Sequence, residues 1–366
     1  MGYESIPNLP RTMRAIVNHA PYDFRLEEVA VPEIGPEEVL IRVGGCGICA
    51  GDVKTFHGNP RVWGGNGHPP YVVTPVIPGH EFFGQIVALG EGAKEKHGLS
   101  LGDWVAVEQI IPCGVCRFCQ EGTYWMCERH YIFGFKRGEA DGGFAEYMRL
   151  PRNSRIHKLP EGFPLRVAPY IEPLGCAIHA VDRAEVTFRD VVVIAGMGAI
   201  GLGMLQVARL RNPHLLIAID VVEKRLALAK ELGADLTLNP KVVDVVSEVK
   251  RLTGGYGCDV YIHASGNPQG VIQGISMLRR LGRYVEFSVF DAPTTLDWSV
   301  IGDVKELDIR GAHLSPWTYP VAIRFLHEGL VKADKIITHE LPLEEFQRGL
   351  ELAKKGDEAI RVVLKP

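Results

Sequence analysis

The sequence lacks the features that mark membrane, secreted and nucleic-acid-binding proteins. It has no run of about 18 apolar residues, so we expect no transmembrane helix. Its first residues, MGYESIPNLPRTMRAIV, contain no apolar segment behind a basic one, so we expect no secretory signal and a cytoplasmic location. Positive charge is not in excess, since the formal net charge is -4 at pH 7, and this argues against a nucleic acid as partner.

The chain of 366 residues is too long for one ordinary core, and its pattern changes along the chain, so we predict two domains. Before about residue 160, short β-branched runs separated by Gly and Pro predict an irregular β domain. Beyond about residue 165, apolar strands alternate with helices, which predicts an α/β domain with a doubly wound parallel sheet. The Gly- and Pro-rich segment between Asp52 and Pro78 is predicted to be an irregular binding loop. The predicted bounds are 1–165 for the β domain, 166–315 for the α/β domain and 316–366 for a segment that returns to the first domain.

The scattered cysteines of a disulfide framework are absent, because four of the eight cysteines lie in one short stretch. Their C-x2-C-x2-C-x7-C spacing allows one tetrahedral Zn²⁺ to collect all four thiolates. Four thiolates leave no open coordination position, so this zinc is predicted to be structural. An iron–sulfur cluster is the alternative for such a run. The predicted ligands are Cys113, Cys116, Cys119 and Cys127.

A dinucleotide site is predicted where the strand VVVIA leads into a glycine pattern, G-x-G-x-x-G, and then into a helix. Glycines allow the tight turn and the close backbone approach to a pyrophosphate, which then lies at the helix N-terminus. The predicted contacts are Gly196, Gly198, Ala199, Ile200 and Gly201.

Asp220 ends the next predicted strand, 22 residues after Gly198. A carboxylate there accepts hydrogen bonds from ribose hydroxyls and repels a 2′-phosphate, so NAD is predicted rather than NADP. Arg225 points the other way, since a nearby arginine helps to bind a 2′-phosphate. A helix-cap role for Asp220 is the alternative.

Outside the cysteine stretch, Cys49, the pair His80–Glu81 and Glu172 have the chemistry of a catalytic zinc site, which needs about three protein ligands and one open position. Spacing alone does not assemble them, because His80 and Glu172 follow Cys49 and Glu81 at separations of 31 and 91 residues. Taken singly, Cys49 and His80 also read as ordinary core residues.

Five motifs together resemble the zinc-containing medium-chain dehydrogenase/reductase family, in order and over nearly the whole chain. They are GICAGD, GHEFFGQIVALG, the four-cysteine loop, EPLGCAIHA and GMGAIG. The EPL segment is similar to the sorbitol and threonine dehydrogenase branch, because the ethanol-oxidising branch has a cysteine at the place of Glu172. The resemblance implies a GroES-like catalytic domain, a Rossmann cofactor domain, and catalysis with NAD and two zinc ions per chain.

The resemblance also implies roles for single residues. Cys49 and His80 match zinc ligands, and Asp52 matches the carboxylate that orients the zinc-bound histidine. Glu81 and Glu172 match carboxylates that complete the metal site or exchange around it. One thiolate and two carboxylates would give the zinc site a net charge of about -1 and make the zinc a poor Lewis acid. We therefore expect one glutamate to be displaced, or not to contact the metal directly, when substrate is bound.

Two positions depart from the family pattern or qualify it. Gly51 stands where the family has a Ser or Thr that begins a proton relay, so the proton is expected to leave through water, Glu172, Lys54 or His57. Cys176 matches a position beside the nicotinamide and is interpreted as a packing thiol.

Later cofactor contacts are predicted from the ends of parallel strands, where ligands of such sheets bind. Ser265, Ser288 and Val289 are expected near the nicotinamide ribose and carboxamide. Arg361 matches a late basic residue that reaches the pyrophosphate, and a solvated strand charge is its alternative.

The sequence therefore predicts a zinc- and NAD-dependent oxidation of a polyol or other secondary alcohol to a ketone. A short sugar alcohol such as a tetritol is favoured, because the 52–78 segment offers polar groups for neighbouring hydroxyls: His57, Asn59, Trp63, Asn66 and His68. The alternatives are amino-alcohol oxidation of the threonine dehydrogenase kind, with Arg61 for the carboxylate, and a non-catalytic NAD- and zinc-binding protein. A homo-oligomer is expected, a tetramer rather than a dimer.

Overall fold

A computed structural model of the protein describes residues 4–290 and 292–366. The chain forms two compact units, one containing residues 4–172 and 319–366 and the other containing the described part of residues 173–318. No helix in the described ranges is long and apolar enough to cross a membrane.

The strands are β1 Glu4–Ser5, β2 Thr12–Ala20, β3 Asp23–Ala30, β4 Val39–Gly47, β5 Glu81–Leu89, β6 Trp104–Val107, β7 Ile110–Ile111, β8 Tyr131–Ile132, β9 Tyr147–Leu150, β10 Ile156–Lys158, β11 Val191–Ala195, β12 Leu215–Ile219, β13 Leu236–Leu238, β14 Cys258–His263, β15 Leu278–Glu286, β16 Asp308–Gly311, β17 Ile337–Pro342 and β18 Arg361–Lys365. The α-helices are α1 Ala50–Phe56, α2 Pro60–Trp63, α3 Ala93–His97, α4 Arg117–Gln120, α5 Ile171–Ala184, α6 Ala199–Leu210, α7 Glu223–Glu231, α8 Val245–Leu252, α9 Pro268–Met277, α10 Tyr319–His327 and α11 Phe346–Lys355. Short 3₁₀ or π turns lie at Tyr124–Met126, Leu165–Tyr170, Val300–Val304, Ala333–Lys335 and Leu343–Glu345.

The first unit is built on an eight-stranded sheet whose main order is β10-β6-β5-β4-β18-β17, with β1 added to β5 and β9 to β4. Strand β5 is buried along almost its whole length, because its partners and the surrounding loops cover both faces. The C-terminal strand β18 pairs antiparallel with β4, so the end of the chain belongs to this unit. The register of β4 and β5 places Gly47 opposite Glu81, which brings the loop after β4 close to the residues that precede β5.

The second unit is a six-stranded, fully parallel sheet with the order β13-β12-β11-β14-β15-β16. Counted within the unit, this order is 3-2-1-4-5-6, which is that of a dinucleotide-binding doubly wound fold. The predicted parallel sheet is confirmed. The chain reverses its direction of strand addition between β11 and β14, and the carboxyl ends of these two strands are where such folds bind ligands.

Two local predictions differ from the structure. The 52–78 segment is partly helical, because Asn59 caps α2 by accepting a hydrogen bond from the backbone N–H of Arg61, and Pro60 occupies the first helical position. From the sequence, the stretch PQGVIQGISMLRRL is also predicted to be one helix. In the structure this helix, α9, ends at Met277, and the residues from Leu278 belong to β15. Pairing of β15 with β14 outweighs the helical pattern there.

Candidate active site and metal centres

The four-cysteine stretch forms a closed group in the first unit. The sulfur atoms of Cys113, Cys116, Cys119 and Cys127 all lie within 4.8 Å of one another. The sulfur atoms of Cys113 and Cys119 are 3.9 Å apart, near the roughly 3.8 Å edge of a tetrahedron with zinc–sulfur bonds of about 2.3 Å. The backbone N–H groups of Val115 and Cys116 lower the pKa of Cys113 to about 6, which favours the thiolate that a metal requires. All described cysteines are free of disulfides.

The buried carboxylate of Glu108 ties this loop to the sheet. Tyr124, within the cysteine loop, donates its hydroxyl to Glu108 Oε2 at 2.6 Å. Arg155 Nε donates to the other oxygen at 3.0 Å, and His157 Nε2 lies 3.0 Å from it. A fully buried carboxylate with several partners is costly to disturb, so this cluster holds the loop firmly on the unit.

A second group of ligand atoms comes from Cys49, His80 and Glu81, which lie within 4.8 Å of one another. Cys49 is the N-cap residue of α1, and Glu81 is the first residue of β5. The pairing of β4 with β5 therefore assembles residues that are far apart in sequence. Sulfur, imidazole and carboxylate are the donor types of a catalytic zinc site.

The surroundings of this group fit a metal ion. His80 Nδ1 is buried and has no hydrogen-bond partner among the described residues, and it lies 3.9 Å from Asp52 Oδ1. Asp52 accepts the backbone N–H of Cys49 at 2.8 Å through its other oxygen. Burial raises the pKa of Asp52 to about 6, and burial likewise raises the pKa of the Cys49 thiol. These buried groups lack an opposite charge of the size that a divalent cation would supply.

Glu172 lies outside this three-residue group. It is hydrogen-bonded to Gln109, a residue that was not predicted from the sequence to belong to the site. Gln109 Nε2 donates to Glu172 Oε1 at 2.6 Å, and both side chains are buried. Glu172 is close enough to influence the charge state of His80. A signal for Gln109 was present in the sequence, since two polar residues interrupt the apolar run VAVEQII, and buried polar residues need partners.

Arg361 is buried in the first unit, with 6% of its surface exposed, so its interpretation as a solvated strand charge is wrong. Its Nη1 atom donates to the carbonyl of Ile48 at 2.8 Å and lies 2.8 Å from Glu81 Oε2. The guanidinium therefore compensates the charge of Glu81 beside the metal-binding group. The predicted contact with a pyrophosphate stays a prediction.

The residues considered for the proton relay differ in whether they border the metal-binding group. A Cβ atom at Gly51 would lie 3.7 Å from Cys49 Sγ and 3.9 Å from His80 Cε1, so this glycine borders the metal-binding group. His57 Nδ1 donates to the carbonyl of Val53 at 2.8 Å, and His57 Nε2 accepts from Lys354 Nζ at 2.9 Å. His57 thus has both ring nitrogens engaged elsewhere.

The other polar residues of the 52–78 segment serve local structure where their contacts are described. Trp63 donates its ring N–H to the carbonyl of Thr55 at 2.7 Å, and Asn59 caps α2. Asn66 has a positive φ of 51° in an exposed turn that also contains His68. Their predicted contact with substrate hydroxyls stays a prediction.

The glycine pattern of the second unit lies where it was expected, between β11 and α6. Gly196 has a φ of +100°, and a Cβ there would clash with the backbone of Ala264 and Ser265. Gly201 faces the carbonyl of Gly196, where a side chain would not fit. Ala199 and Ile200 begin α6, and Gly198 is its N-cap. The N-terminus of α6 is thereby open to a phosphate.

A cavity of about 410 Å³ adjoins these glycines and the carboxyl ends of the central strands. Its lining includes Gly196, Gly198, Asp220, Arg225, Ser265 and Asn267. Ser288 and Val289 are not part of this lining, although Ser288 donates its hydroxyl to the carbonyl of His263 at 3.2 Å. Cys176 lies buried in α5.

Asp220 follows β12 and is buried at the edge of this cavity. It accepts the backbone N–H groups of Met197 at 2.6 Å and Val222 at 2.8 Å, so it joins the two loops instead of capping α7 with its side chain. A carboxylate has about four acceptor positions, which leaves capacity for ribose hydroxyls. Arg225 Nη1 lies 3.9 Å from Asp220 Oδ2.

Comparison with known proteins agrees with both units. Residues 35–161 match the alcohol dehydrogenase GroES-like domain, and residues 199–328 match the zinc-binding dehydrogenase domain. The chain is 48% identical over 358 residues to the erythritol/L-threitol dehydrogenase of Mycolicibacterium smegmatis, covering 98% of this chain and 99% of that protein. It is 35% identical to the sorbitol dehydrogenase of Halalkalibacterium halodurans, with coverage of 97% and 99%.

A solved structure shares the complete fold. An alcohol dehydrogenase of Escherichia coli CFT073, crystallised with the cofactor NADH, superposes with a TM-score of 0.86 at 29% identity, covering 98% of this chain and 100% of that one. The predicted combination of a GroES-like and a Rossmann domain is thereby confirmed. The chain belongs to the zinc-containing alcohol dehydrogenase family of medium-chain dehydrogenases/reductases.

Proposed function

We propose that this protein is an NAD-dependent polyol dehydrogenase that oxidises a secondary hydroxyl of a short sugar alcohol, such as a tetritol, to a ketone. The observation that carries the chemistry is the group of partly buried Cys49 and buried His80 and Glu81, whose donor atoms lie within 4.8 Å of one another. The similarity over nearly the whole chain to an erythritol/L-threitol dehydrogenase supports the substrate class.

Each chain is proposed to hold two zinc ions, one structural and one catalytic. The four clustered cysteines hold the first, while Cys49, His80 and Glu81 hold the second. At the catalytic site, zinc supplies Lewis-acid stabilisation of an alcohol oxygen, and NAD supplies the hydride acceptor. The protein supplies orientation, charge balance and proton acceptance.

The residues around the catalytic group divide this work. Asp52 Oδ1 lies 3.9 Å from His80 Nδ1, beyond hydrogen-bond distance. We assign Asp52 the role of orienting the imidazole, which requires this contact to shorten when the metal is bound. Arg361 offsets the charge of Glu81, so that the ligand set does not carry an excess of negative charge. Gln109 donates to Glu172, which lies outside the three-residue group, and we assign the Glu172 carboxylate the role of accepting the proton of the substrate hydroxyl.

NAD is the proposed cofactor because the Asp220 carboxylate borders the dinucleotide cavity and Arg225 Nη1 lies 3.9 Å from it. A 2′-phosphate would meet the Asp220 carboxylate there, whereas ribose hydroxyls would find an acceptor. The expected homo-oligomer, a tetramer rather than a dimer, stays a prediction that the molar mass in solution will test.

A substrate panel tests the proposal. The purified protein is assayed for reduction of NAD and, in parallel, NADP with erythritol, threitol, five- and six-carbon polyols, ethanol and L-threonine. We expect the four-carbon polyols with NAD to give the highest kcat/KM. A Cys49→Ser variant, in which the proposed metal site loses its sulfur ligand, is expected to be inactive. Turnover of ethanol or L-threonine without turnover of any polyol would contradict the proposal.

A further inference from the structure

Beside the dinucleotide cavity, three side chains of the second unit form a continuous hydrogen-bonded chain. Ser265 Oγ lies 2.7 Å from His263 Nε2, and His263 Nδ1 lies 3.0 Å from Glu286 Oε2. His263 ends β14, Glu286 ends β15, and Ser265 belongs to the cavity lining. The chain of contacts therefore leads from a strand end to the wall of the cofactor cavity.

The histidine at its centre is held rigidly. Its side chain has 0% exposure and is stacked between the rings of Tyr261 and Phe290, with ring centroids 6.2 and 5.4 Å away. A Cβ atom at Gly270 would lie 2.5 Å from His263 Nε2 and 3.3 Å from Ser265 Oγ. The close approach of α9 to this pair thus depends on a glycine, and the imidazole has no space to turn.

Hydrogen-bond donors and acceptors can be assigned along this chain. Glu286 already accepts the Tyr284 hydroxyl at 2.8 Å and the backbone N–H of Ser288 at 2.7 Å. An ionised carboxylate only accepts, so His263 must carry a hydrogen on Nδ1. In the neutral imidazole Nε2 is then an acceptor, and the Ser265 hydroxyl must donate to it.

This assignment determines what Ser265 offers to a ligand. Its hydroxyl hydrogen is directed at His263, and its oxygen accepts the backbone N–H of Asn267 at 3.2 Å. One acceptor position remains on the oxygen. Ser265 therefore presents an acceptor in the same cavity as Asp220, whose carboxylate is also an acceptor. The part of the wall formed by Ser265 and Asp220 suits ligand hydroxyls and is unfavourable for a phosphate, unlike the N-terminus of α6 in the same cavity.

We propose that Glu286 and His263 are positioning residues that orient Ser265 as an acceptor for a hydroxyl of the adenosine ribose. This differs from the position near the nicotinamide ribose expected from the sequence, because Ser265 lines the same cavity as Asp220, whereas Ser288 and Val289 do not. The proposal rests on the proposed use of NAD, and it adds a second determinant of the preference for NAD to that of Asp220.

Without the Glu286 carboxylate, His263 Nδ1 keeps only the longer contact of 3.4 Å with the Ser288 hydroxyl. The tautomer with its hydrogen on Nε2 is then favoured, and Nε2 donates to Ser265. The serine hydroxyl then turns its own hydrogen to the cavity and no longer disfavours a phosphate.

The test measures binding of NADH, NADPH and ADP-ribose to the full-length protein by titration calorimetry. Ser265→Ala is expected to weaken ADP-ribose binding about tenfold, which corresponds to the loss of one hydrogen bond. Ser265→Thr keeps the hydroxyl and is expected to bind within about threefold of the wild type. Ser276→Ala is the matched control, because that hydroxyl donates to the carbonyl of Ile272 within α9 and should not affect binding.

Two further measurements distinguish orientation from packing. Glu286→Leu is expected to weaken NADH binding about tenfold and to narrow the NADH-to-NADPH affinity ratio, while Glu286→Gln, which still accepts from Nδ1, keeps the ratio. Two ADP-ribose analogues are also tested, one lacking the 2′-hydroxyl and one lacking the 3′-hydroxyl of the adenosine ribose. One of them lacks the hydroxyl that Ser265 binds, so Ser265→Ala should not weaken the binding of that analogue further.

The inference is overturned if Ser265→Ala binds ADP-ribose like the wild type, or if both deoxy analogues lose as much affinity in this variant as ADP-ribose does. It is also overturned if Glu286→Leu leaves the NADH-to-NADPH ratio unchanged. Failure of the wild-type protein to bind either dinucleotide would instead overturn the proposed function itself.

Discussion

Replacement of Gln109 by leucine should reduce catalysis by altering the catalytic site and not the fold. The Gln109 amide donates to Glu172 over 2.6 Å, and both groups are buried. A hydrogen bond to a charged group contributes about 1.5–3 kcal/mol. Leucine has a similar volume but no amide, so Gln109→Leu removes this contribution without leaving a large cavity.

The expected loss of activity follows from the strength of the Gln109–Glu172 hydrogen bond. If the bond is needed to hold Glu172 in place during proton transfer, kcat/KM should fall about 10- to 100-fold, since 1.36 kcal/mol corresponds to a factor of ten. The released carboxylate lies near His80 and should enter the group of Cys49, His80 and Glu81 as an added metal ligand. An added ligand occupies the position that substrate needs, so KM should rise as well.

Kinetics and metal spectroscopy check these two effects separately. Steady-state kcat and KM are measured for the zinc enzyme, and visible spectra are recorded after Co²⁺ replaces the catalytic zinc, because a higher coordination number weakens the cobalt bands. Gln206→Leu is the control, since that glutamine is also buried but donates to the carbonyl of Leu202 within its own helix. If Gln109→Leu leaves both kcat/KM and the cobalt spectrum of the wild type unchanged, Gln109 does not position Glu172.

Three other predictions concern stability and cofactor choice. Cys116→Ser should lower the zinc content from the proposed two ions per chain towards one and should lower Tm by more than about 5 °C. The kcat of the remaining folded enzyme should change less than about threefold. Normal stability together with lost hydride transfer would contradict a structural role. Asp220→Gly should raise kcat/KM with NADP relative to NAD about 10- to 100-fold, measured with the same polyol, because it removes the carboxylate beside the ribose. Burial lowers the pKa of His179 from 6.5 to about 4, so the unfolded chain binds the proton more readily between these values, and stability is lost as pH falls through this range. The free energy of unfolding should therefore fall less between pH 7 and about pH 4 in His179→Gln than in the wild type. After allowance for the partial exposure of His179 we expect a difference of about 1–2 kcal/mol, measured by urea unfolding at the two pH values.

Much of the fold was predictable because its signals are local. The dinucleotide-binding turn is encoded within about a dozen residues. The strand VVVIA leads to Gly196 and Gly198, which allow the tight turn, and then to the helix whose N-terminus binds phosphate. The four cysteines likewise lie close enough in sequence for one metal to join them. In both cases the residues that must come together are close neighbours in the sequence, so the local pattern reveals the site.

Other features were missed because they depend on contacts distant in sequence. Gln109 and Glu172 are 63 residues apart, and nothing local to either one indicates the other. No local pattern singles out His263, and only the parallel pairing of β14 and β15 places Glu286 directly opposite it. The helix α2 was missed for another reason, because the Gly- and Pro-rich composition of the segment favoured a loop although Asn59 caps the helix.

The sequence by itself determined the class of this protein: two domains, a cysteine site for zinc, a dinucleotide-binding turn and a family whose motifs supply candidate ligands. Only the tertiary structure decided how those ligands are arranged. Pairing of Gly47 with Glu81 brings Cys49, His80 and Glu81 together, while Glu172, hydrogen-bonded to Gln109, lies outside this group. The reason is physical, because composition and local pattern specify which groups a chain carries, whereas strand register specifies which of them meet.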